Sequence, residues 1–220
     1  MIFSEIQKRI ITTLILLPVT IFLILFNQKI FSLFLILILI FSCYEWFNLN
    51  KNKISITLIL GFLIILLSIF FSYFLRGDEH ENKIIFLWII FVCIFSDIGG
   101  FVFGKIFGGR KLTKISPNKT FAGLYGSLIF SIFPILILYF IKYELSSSSI
   151  LILSWKVIIL SLLLSLVCQL GDITVSFFKR KNEFKDTGNL LPGHGGLLDR
   201  IDGIIFVMIF SGILKICEVI

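Results

Sequence analysis

Residues 171–203 read GDITVSFFKRKNEFKDTGNLLPGHGGLLDRIDG and form the most polar stretch of an otherwise apolar chain. The stretch carries five cations, and glycines surround one of the chain's two histidines, His194. Its four aspartates are Asp172, Asp186, Asp199 and Asp202. Carboxylates bind hard metal ions such as Mg²⁺, cations bind phosphate, and glycines let backbone N–H groups approach an anion closely. This combination of carboxylates, cations and glycines indicates phosphate chemistry with a metal. The rest of the chain is expected to be the scaffold that holds residues 171–203.

That scaffold is a membrane protein. Of the 220 residues, 58% are hydrophobic, well above the roughly 45–50% of soluble domains, and the mean hydropathy is +1.06. We predict an all-α, polytopic integral membrane protein with about seven transmembrane helices. The expected spans are 10–26, 30–47, 54–75, 84–104, 121–141, 157–170 and 204–217. Residues 1–220 are predicted to form a single membrane-embedded domain, with N-terminal spans over about 10–75 and a catalytic part over about 84–220.

The distribution of cations predicts the orientation. With alternating spans, one side carries 14 Lys and Arg residues and the other carries 6. The positive-inside rule places the richer side, with loop 105–120 and most of 171–203, in the cytoplasm. The same rule explains the net charge of +7, and the chain has no soluble basic domain for nucleic acid. The four cysteines have no C-x-x-C spacing, which argues against a zinc site.

Several polar residues within the apolar runs are candidate site residues. Asp97 lies in the fourth span, where a carboxylate is costly and indicates function; a polar helix end near the surface is the alternative. Gly99, Gly100 and Gly104 predict either close helix packing or an interrupted helix. Glu45 and Trp46 end the second span, a placement typical of the membrane interface.

The aspartates of 171–203 are predicted to converge. Asp199 and Asp202 are three residues apart at the start of the last helix, and therefore lie on one face. Asp172 is expected to end the preceding span and to meet Asp199 across the two helices. The alternative is that these aspartates only neutralise Lys179, Arg180 and Arg200.

The residues from Ser176 to Asp202 carry a family resemblance. The run S-x-x-K-R-x4-K-D-x5-P-G-H-G-G-x-x-D-R-x-D resembles the signature of the phosphatidate cytidylyltransferases, or CDP-diacylglycerol synthases. Residues 115–120, ISPNKT, resemble the family's ISPxKT loop, and residues 97–104 resemble its DxGAYxxG segment. The resemblance covers most of the chain. Val175 departs from it, because the family usually has Glu there, and Gly100-Phe101 replaces Ala-Tyr.

The resemblance implies the reaction CTP + phosphatidic acid → CDP-diacylglycerol + pyrophosphate, with Mg²⁺ as cofactor and a second cation left open. The implied catalytic residues are Asp172, Asp199, Asp202, Lys185 and His194. The implied substrate-binding residues are Ser116, Lys119, Ser176, Lys179, Arg180, Arg200, Gly195 and Gly196. The metal would be held first by Asp172 and Asp199, and second by Asp97 and Asp202.

The implied partners are CTP, phosphatidic acid and the lipid bilayer, with no nucleic acid, and the resemblance suggests a homodimer. The expected location is the bacterial inner (cytoplasmic) membrane, with the active site facing the cytoplasm. Two other functions stay open at this point: a CTP-dependent kinase of a lipid or isoprenoid alcohol, and a small membrane transporter.

Overall fold

A computed structural model describes residues 5–50, 55–113, 116, 119–137, 154–188, 190 and 195–220, and the side chains from residue 14 onward within these ranges. The described chain is helical, and an isolated antiparallel bridge joins Lys111 to Thr120. The helices are α1 (Glu5–Leu25), α2 (Gln28–Leu49), α3 (Ile56–Arg76), α4 (His80–Phe107), α5 (Phe121–Phe130), α6 (Trp155–Lys181) and α7 (Leu198–Ile216). The predicted all-α class is confirmed.

Four of these helices, α2, α3, α4 and α6, are long and apolar enough to cross a membrane. Shorter apolar helical stretches cover Leu14–Leu25 and Phe121–Ile137. The protein is therefore a polytopic membrane protein, while the count of seven spans stays a prediction. His194 and residues 114, 115, 117 and 118 lie outside the described residues.

Polar residues in the sequence set the points where several helices begin. A side-chain oxygen at an N-cap accepts a hydrogen bond from one of the helix's unpaired N–H groups. Ser55, Thr120 and Ser154 do so for α3, α5 and α6, accepting from Leu58, Gly123 and Val157. Near the other end of the fifth apolar stretch, α5 stops at Phe130. Pro134 follows four residues later and lacks the N–H that would continue the ladder.

Two predicted helix boundaries differ from the structure in a way that matters for the site. We expected Asp172 to end a span, but α6 continues to Lys181, so Asp172, Ser176 and Lys179 lie on successive turns of one helix. We also allowed an interruption at Gly99-Gly100, yet α4 is continuous there. The last helix begins at Leu198, which places Asp199 in its first turn as predicted.

The glycines bring two pairs of helices into close contact. A Cβ on Gly126 of α5 would lie 2.5 Å from the carbonyl oxygen of Gly99 of α4. A Cβ on Gly203 of α7 would lie 2.5 Å from Cys168 Sγ of α6. Such distances leave no room for any side chain, so the predicted close-packing role of Gly99 is confirmed. These contacts bring the polar residues of α4, α6 and α7 together at one place.

Candidate active site

A cavity of about 650 Å³ lies where α4, α6, α7 and the segment preceding α5 meet. Its charged and strongly polar lining residues are Asp97, Ser116, Lys119, Gln169, Asp172, Lys179, Asp186, Asp199, Arg200 and Asp202. Residues from three distant parts of the sequence are therefore brought together. Asp97, Asp172, Asp199 and Asp202 all line this cavity, while their roles in a site stay predictions.

Asp172 lies on α6 with its carboxylate toward the cavity. Its Oδ2 forms an ion pair with Lys119 Nζ at 2.5 Å, and its Oδ1 accepts a hydrogen bond from Ser176 Oγ at 3.2 Å. The Asp172 side chain is 30% exposed, which leaves part of the carboxylate open to a ligand. Lys119 and Ser176 are both residues that the sequence assigned to substrate binding.

Gln169 joins this pair to Asp97. Its Oε1 accepts a hydrogen bond from Lys119 Nζ at 3.3 Å, and its Nε2 donates to Asp97 Oδ1 at 3.5 Å. Gln169 was not among the predicted site residues. The available signal was its position three residues before Asp172 on the same helix, as an amide within an otherwise apolar run.

Asp199 is held more tightly than Asp172. Its Oδ1 pairs with Lys179 Nζ at 2.7 Å, and its Oδ2 accepts from the backbone N–H groups of Thr187 at 2.8 Å and Gly196 at 3.0 Å. Gly195 makes this possible, because its φ of +85° is unfavourable for other residues and a Cβ there would lie 3.0 Å from Asp199 Oδ2. Asp199 therefore fixes the loop before α7 as well as lining the cavity.

The remaining predicted residues fall into three groups. Arg200 and Asp202 line the cavity beside Asp199. Arg180 and Lys185 are exposed and do not line it, and Arg180 Nη1 donates to Phe184 O at 3.4 Å. His194 lies outside the described residues, so its role stays a prediction. The alternative that the aspartates only neutralise Lys179, Arg180 and Arg200 is incomplete, because Asp172 pairs with Lys119 instead.

Glu45 is a second residue that was absent from the predicted site residues. Its position at the end of an apolar run indicated the membrane interface, but its side chain is buried and contacts the loop before α7. Trp46 is also buried, and its Nε1 donates to Leu58 O at 3.2 Å. Only tertiary packing distinguishes a buried carboxylate at a helix end from a solvated one.

The lining fits a hard divalent cation. Among the described lining residues, five carboxylates face three cations, Lys119, Lys179 and Arg200. Within the described ranges, no three His, Cys, Asp or Glu side chains converge as a ready-made metal cage. Mg²⁺ does not require one, since it usually takes one or two carboxylates and completes its octahedron with waters and substrate phosphates. An open carboxylate such as Asp172 meets that requirement.

Comparison with known proteins gives a consistent result. A model of the cytidylyltransferase family matches residues 51–217. A phosphatidate cytidylyltransferase of Rickettsia conorii is 33% identical over 219 residues, covering 97% of this chain and 92% of the relative. One from Rickettsia typhi is 36% identical over 96% of this chain and 92% of its own. One from Staphylococcus haemolyticus is 39% identical over 66% of this chain and 54% of its own.

Proposed function

The chain belongs to the cytidylyltransferase family, and on that premise we propose that it is a phosphatidate cytidylyltransferase. A phosphate oxygen of phosphatidic acid attacks the α-phosphorus of CTP. The bond from that phosphorus to the oxygen bridging to the β-phosphate breaks, and pyrophosphate leaves. CDP-diacylglycerol and pyrophosphate are the products. The attacking oxygen is already largely ionised near neutral pH, so the reaction needs no dedicated general base.

The observation that carries the proposal is the charge pattern of the cavity. Five carboxylates and three cations surround one space at the polar end of the apolar helices. A triphosphate and a phosphate monoester are both strongly anionic, and in a cavity with excess carboxylate they require additional positive charge. A pure anion-binding site would be expected to carry an excess of cations instead.

We propose Mg²⁺ as the source of that charge. Asp172 is the first candidate to hold it, because its carboxylate is partly open, with Asp202 and Asp97 beside it. Asp199 is the other candidate that the resemblance implies, although its side chain is only 8% exposed and accepts two backbone N–H bonds besides its pair with Lys179. When bound, Mg²⁺ would neutralise charge on the triphosphate of CTP. The proposal also allows a second bound cation, since five carboxylates line the cavity.

The cations of the cavity position the phosphates. Lys119 and Lys179 are each paired with an aspartate, and incoming phosphate oxygens would compete for the same ammonium groups. Ser116 and Arg200 line the same space and supply further donors. Phosphoryl-type transfer depends mainly on such positioning and charge neutralisation. Arg180 lies in the last turn of α6 and Lys185 follows the end of that helix, and both are exposed; we propose that they contact a lipid headgroup at the membrane surface.

The proposal extends to location and assembly. The cation asymmetry of the sequence supports a cytoplasm-facing cavity in the bacterial inner membrane, where CTP is available. A homodimer is proposed from the family resemblance alone. Light scattering of the purified protein in detergent, corrected for bound detergent, would test the dimer.

Labelled CTP tests the function. Purified protein in mixed micelles with phosphatidic acid and Mg²⁺ is given α-³²P-CTP or γ-³²P-CTP, and the lipid is extracted. We expect label in the lipid only from α-³²P-CTP. Label from γ-³²P-CTP, with a lipid alcohol as acceptor, would replace the proposal with a lipid kinase. No label from either, in a folded protein, would argue against nucleotide chemistry and favour a transport function.

A further inference from the structure

Glu45 is a buried carboxylate far from the cavity-lining residues in sequence. It lies near the end of α2, is only 4% exposed, and precedes the residues matched by the family model. A carboxylate at such a position is costly unless its oxygens accept hydrogen bonds. The contacts of Glu45 therefore indicate why it is there.

Three donors from the loop before α7 satisfy Glu45. Its Oε2 accepts from Thr187 Oγ1 and from the N–H of Leu198, both at 2.8 Å. Its Oε1 accepts from the N–H of Leu197, also at 2.8 Å. The first N–H groups of a helix have no partner within the helix, and Leu197 offers no capping side chain. Glu45 thus caps α7 from another helix.

Glu45 and Asp199 both accept hydrogen bonds from the same two segments, one at Thr187 and one at residues 196–198. Thr187 donates its hydroxyl to Glu45 and its backbone N–H to Asp199. At the start of α7, the Gly196 N–H donates to Asp199, while the N–H groups of Leu197 and Leu198 donate to Glu45. One carboxylate cannot move without disturbing the segments that position the other.

The fit around Glu45 is close. A Cβ on Gly196 would lie 2.5 Å from Glu45 Oε2, and a Cβ on Gly188 would lie 3.0 Å from Glu45 Oε1. The glycines of this loop therefore allow the backbone to reach the buried carboxylate, in addition to any approach to substrate. Gly196 in particular serves both Glu45 and Asp199.

We infer that Glu45 is a positioning residue of the active site. Through the Thr187 hydroxyl and the first N–H groups of α7, it fixes the direction of the Asp199 carboxylate, and with it Lys179. The inference rests on the proposed function for its kinetic consequence, while its structural consequence can be measured independently. It assigns α2 a role in the site, although no described residue of α2 lines the cavity.

The first test is kinetic and uses Glu45→Gln. The substitution keeps one oxygen acceptor but sets an NH₂ group against an N–H or O–H donor, so at least one of the three hydrogen bonds is lost. We expect the Mg²⁺ concentration for half-maximal cytidylyl transfer to rise about tenfold. The KM for phosphatidic acid should stay the same. If Glu45 had a purely structural role, the substitution would lower only the fraction of active protein. The Mg²⁺ requirement and the KM values for CTP and phosphatidic acid would stay unchanged.

Ser42→Ala is the matched control. Ser42 is fully buried on the same helix, one turn before Glu45, and its hydroxyl has no hydrogen-bond partner within the described part of the chain. This variant should keep the wild-type Mg²⁺ requirement. An equal shift in Ser42→Ala and Glu45→Gln would overturn the inference.

The second test is amide hydrogen exchange of the full chain in detergent, without substrate. Glu45→Gln should accelerate exchange at Thr187 and at residues 196–198, and should leave the centre of α4 unchanged. This readout separates the two proposals: if wild-type protein transfers no cytidylyl group but the exchange pattern changes as expected, only the proposed function fails. Unchanged exchange at these amides would overturn the role of Glu45.

Thr187→Val provides the same test if Glu45→Gln does not fold. It removes the hydroxyl donor and leaves the Glu45 carboxylate with its two backbone donors. We expect a smaller rise in the Mg²⁺ requirement, about threefold, and faster exchange at residues 196–198. A folded Thr187→Val protein with wild-type values for both measurements would contradict the inference.

Discussion

The two lysine–aspartate pairs of the cavity have similar chemistry but different surroundings. In the Lys119–Asp172 pair the side chains are 18% and 30% exposed, and the aspartate accepts only one further hydrogen bond in the described structure. In the Lys179–Asp199 pair they are 10% and 8% exposed, and the aspartate also accepts two backbone N–H bonds. The difference indicates a division of roles. Asp172 is the more accessible of the two to a ligand, whereas Asp199 lines the cavity and also binds the backbone at Thr187 and Gly196.

The largest effect is expected from Asp172→Asn. Loss of the open carboxylate should lower kcat/KM for cytidylyl transfer by about 10²–10³-fold, a typical cost of removing one electrostatic contact to the transition state. Because this side chain is partly exposed, the melting temperature in detergent should change little. The transfer assay and a thermal melt on the same preparation check both statements. A melt lowered as much as that of Asp199→Asn would remove the contrast between the two pairs.

Replacing the lysines should separate the pairs by stability. Lys179→Met leaves Asp199 buried without its cation and should cost on the order of 3 kcal/mol of unfolding free energy. Lys119→Met breaks the more exposed pair and should cost less than about 1 kcal/mol. Denaturant titration in mixed micelles measures both.

Lys181→Met serves as the control for this comparison, since Lys181 is exposed at the end of the same helix as Lys179. It should leave the unfolding free energy unchanged. Equal losses for Lys119→Met and Lys179→Met would mean that the difference in burial has no energetic consequence.

Packing of α4 against α5 supports the Lys119 side of the cavity, and Gly126→Ala should disturb that side alone. The added methyl would meet the Gly99 carbonyl and Phe103 Cβ, each at 2.5 Å, at a cost of about 1–3 kcal/mol. We expect reduced transfer, while amide exchange at residues 196–198 stays as in the wild type. Gly104→Ala is the milder counterpart, because its nearest neighbour is the Thr120 hydroxyl at 3.3 Å. A larger effect from Gly104→Ala would contradict this account of the packing.

Val175→Ala should have the smallest effect. Val175 is buried and lines an apolar cavity of about 240 Å³ with Trp46, Phe178 and Ile205, and it is not among the residues that line the polar cavity. We expect a loss of about 1–2 kcal/mol in stability and kcat/KM within about twofold of wild type. This position departs from the family's usual Glu, so a large loss of transfer in a folded Val175→Ala protein would show that the site depends on it.

Much of the site was predictable because its residues are conspicuous against an apolar background. Asp97 and Asp172 have no place in a membrane helix except at a site, and the charge pattern after Ser176 carries the family signature. The all-α class followed from the length of the apolar runs. The ion-pair partners could not be predicted, because Asp172 pairs with Lys119 from a distant loop, whereas Lys179, nearer in sequence, pairs with Asp199.

The parts that sequence reasoning missed depend on tertiary packing. The end of α6 was placed too early, because hydropathy decreases at Gly171 while the helical hydrogen bonds continue to Lys181. Gln169 and Glu45 become recognisable only when their hydrogen-bond partners, separated by 50 or more positions, are placed beside them. No local pattern encodes such distances.

The central claim is that Asp172 presents its carboxylate to the catalytic metal, and a change of ligand tests it most directly. Asp172→Cys replaces a hard oxygen ligand with a thiolate, which binds Mg²⁺ poorly and softer cations such as Cd²⁺ well. We predict that this variant is nearly inactive with Mg²⁺ alone and that added Cd²⁺ raises its rate of cytidylyl transfer at least about tenfold. The wild type is the control, because it contains the same native cysteines, and Cd²⁺ should not activate it. A folded Asp172→Cys protein that Cd²⁺ does not activate would contradict the assignment of Asp172 as a metal ligand.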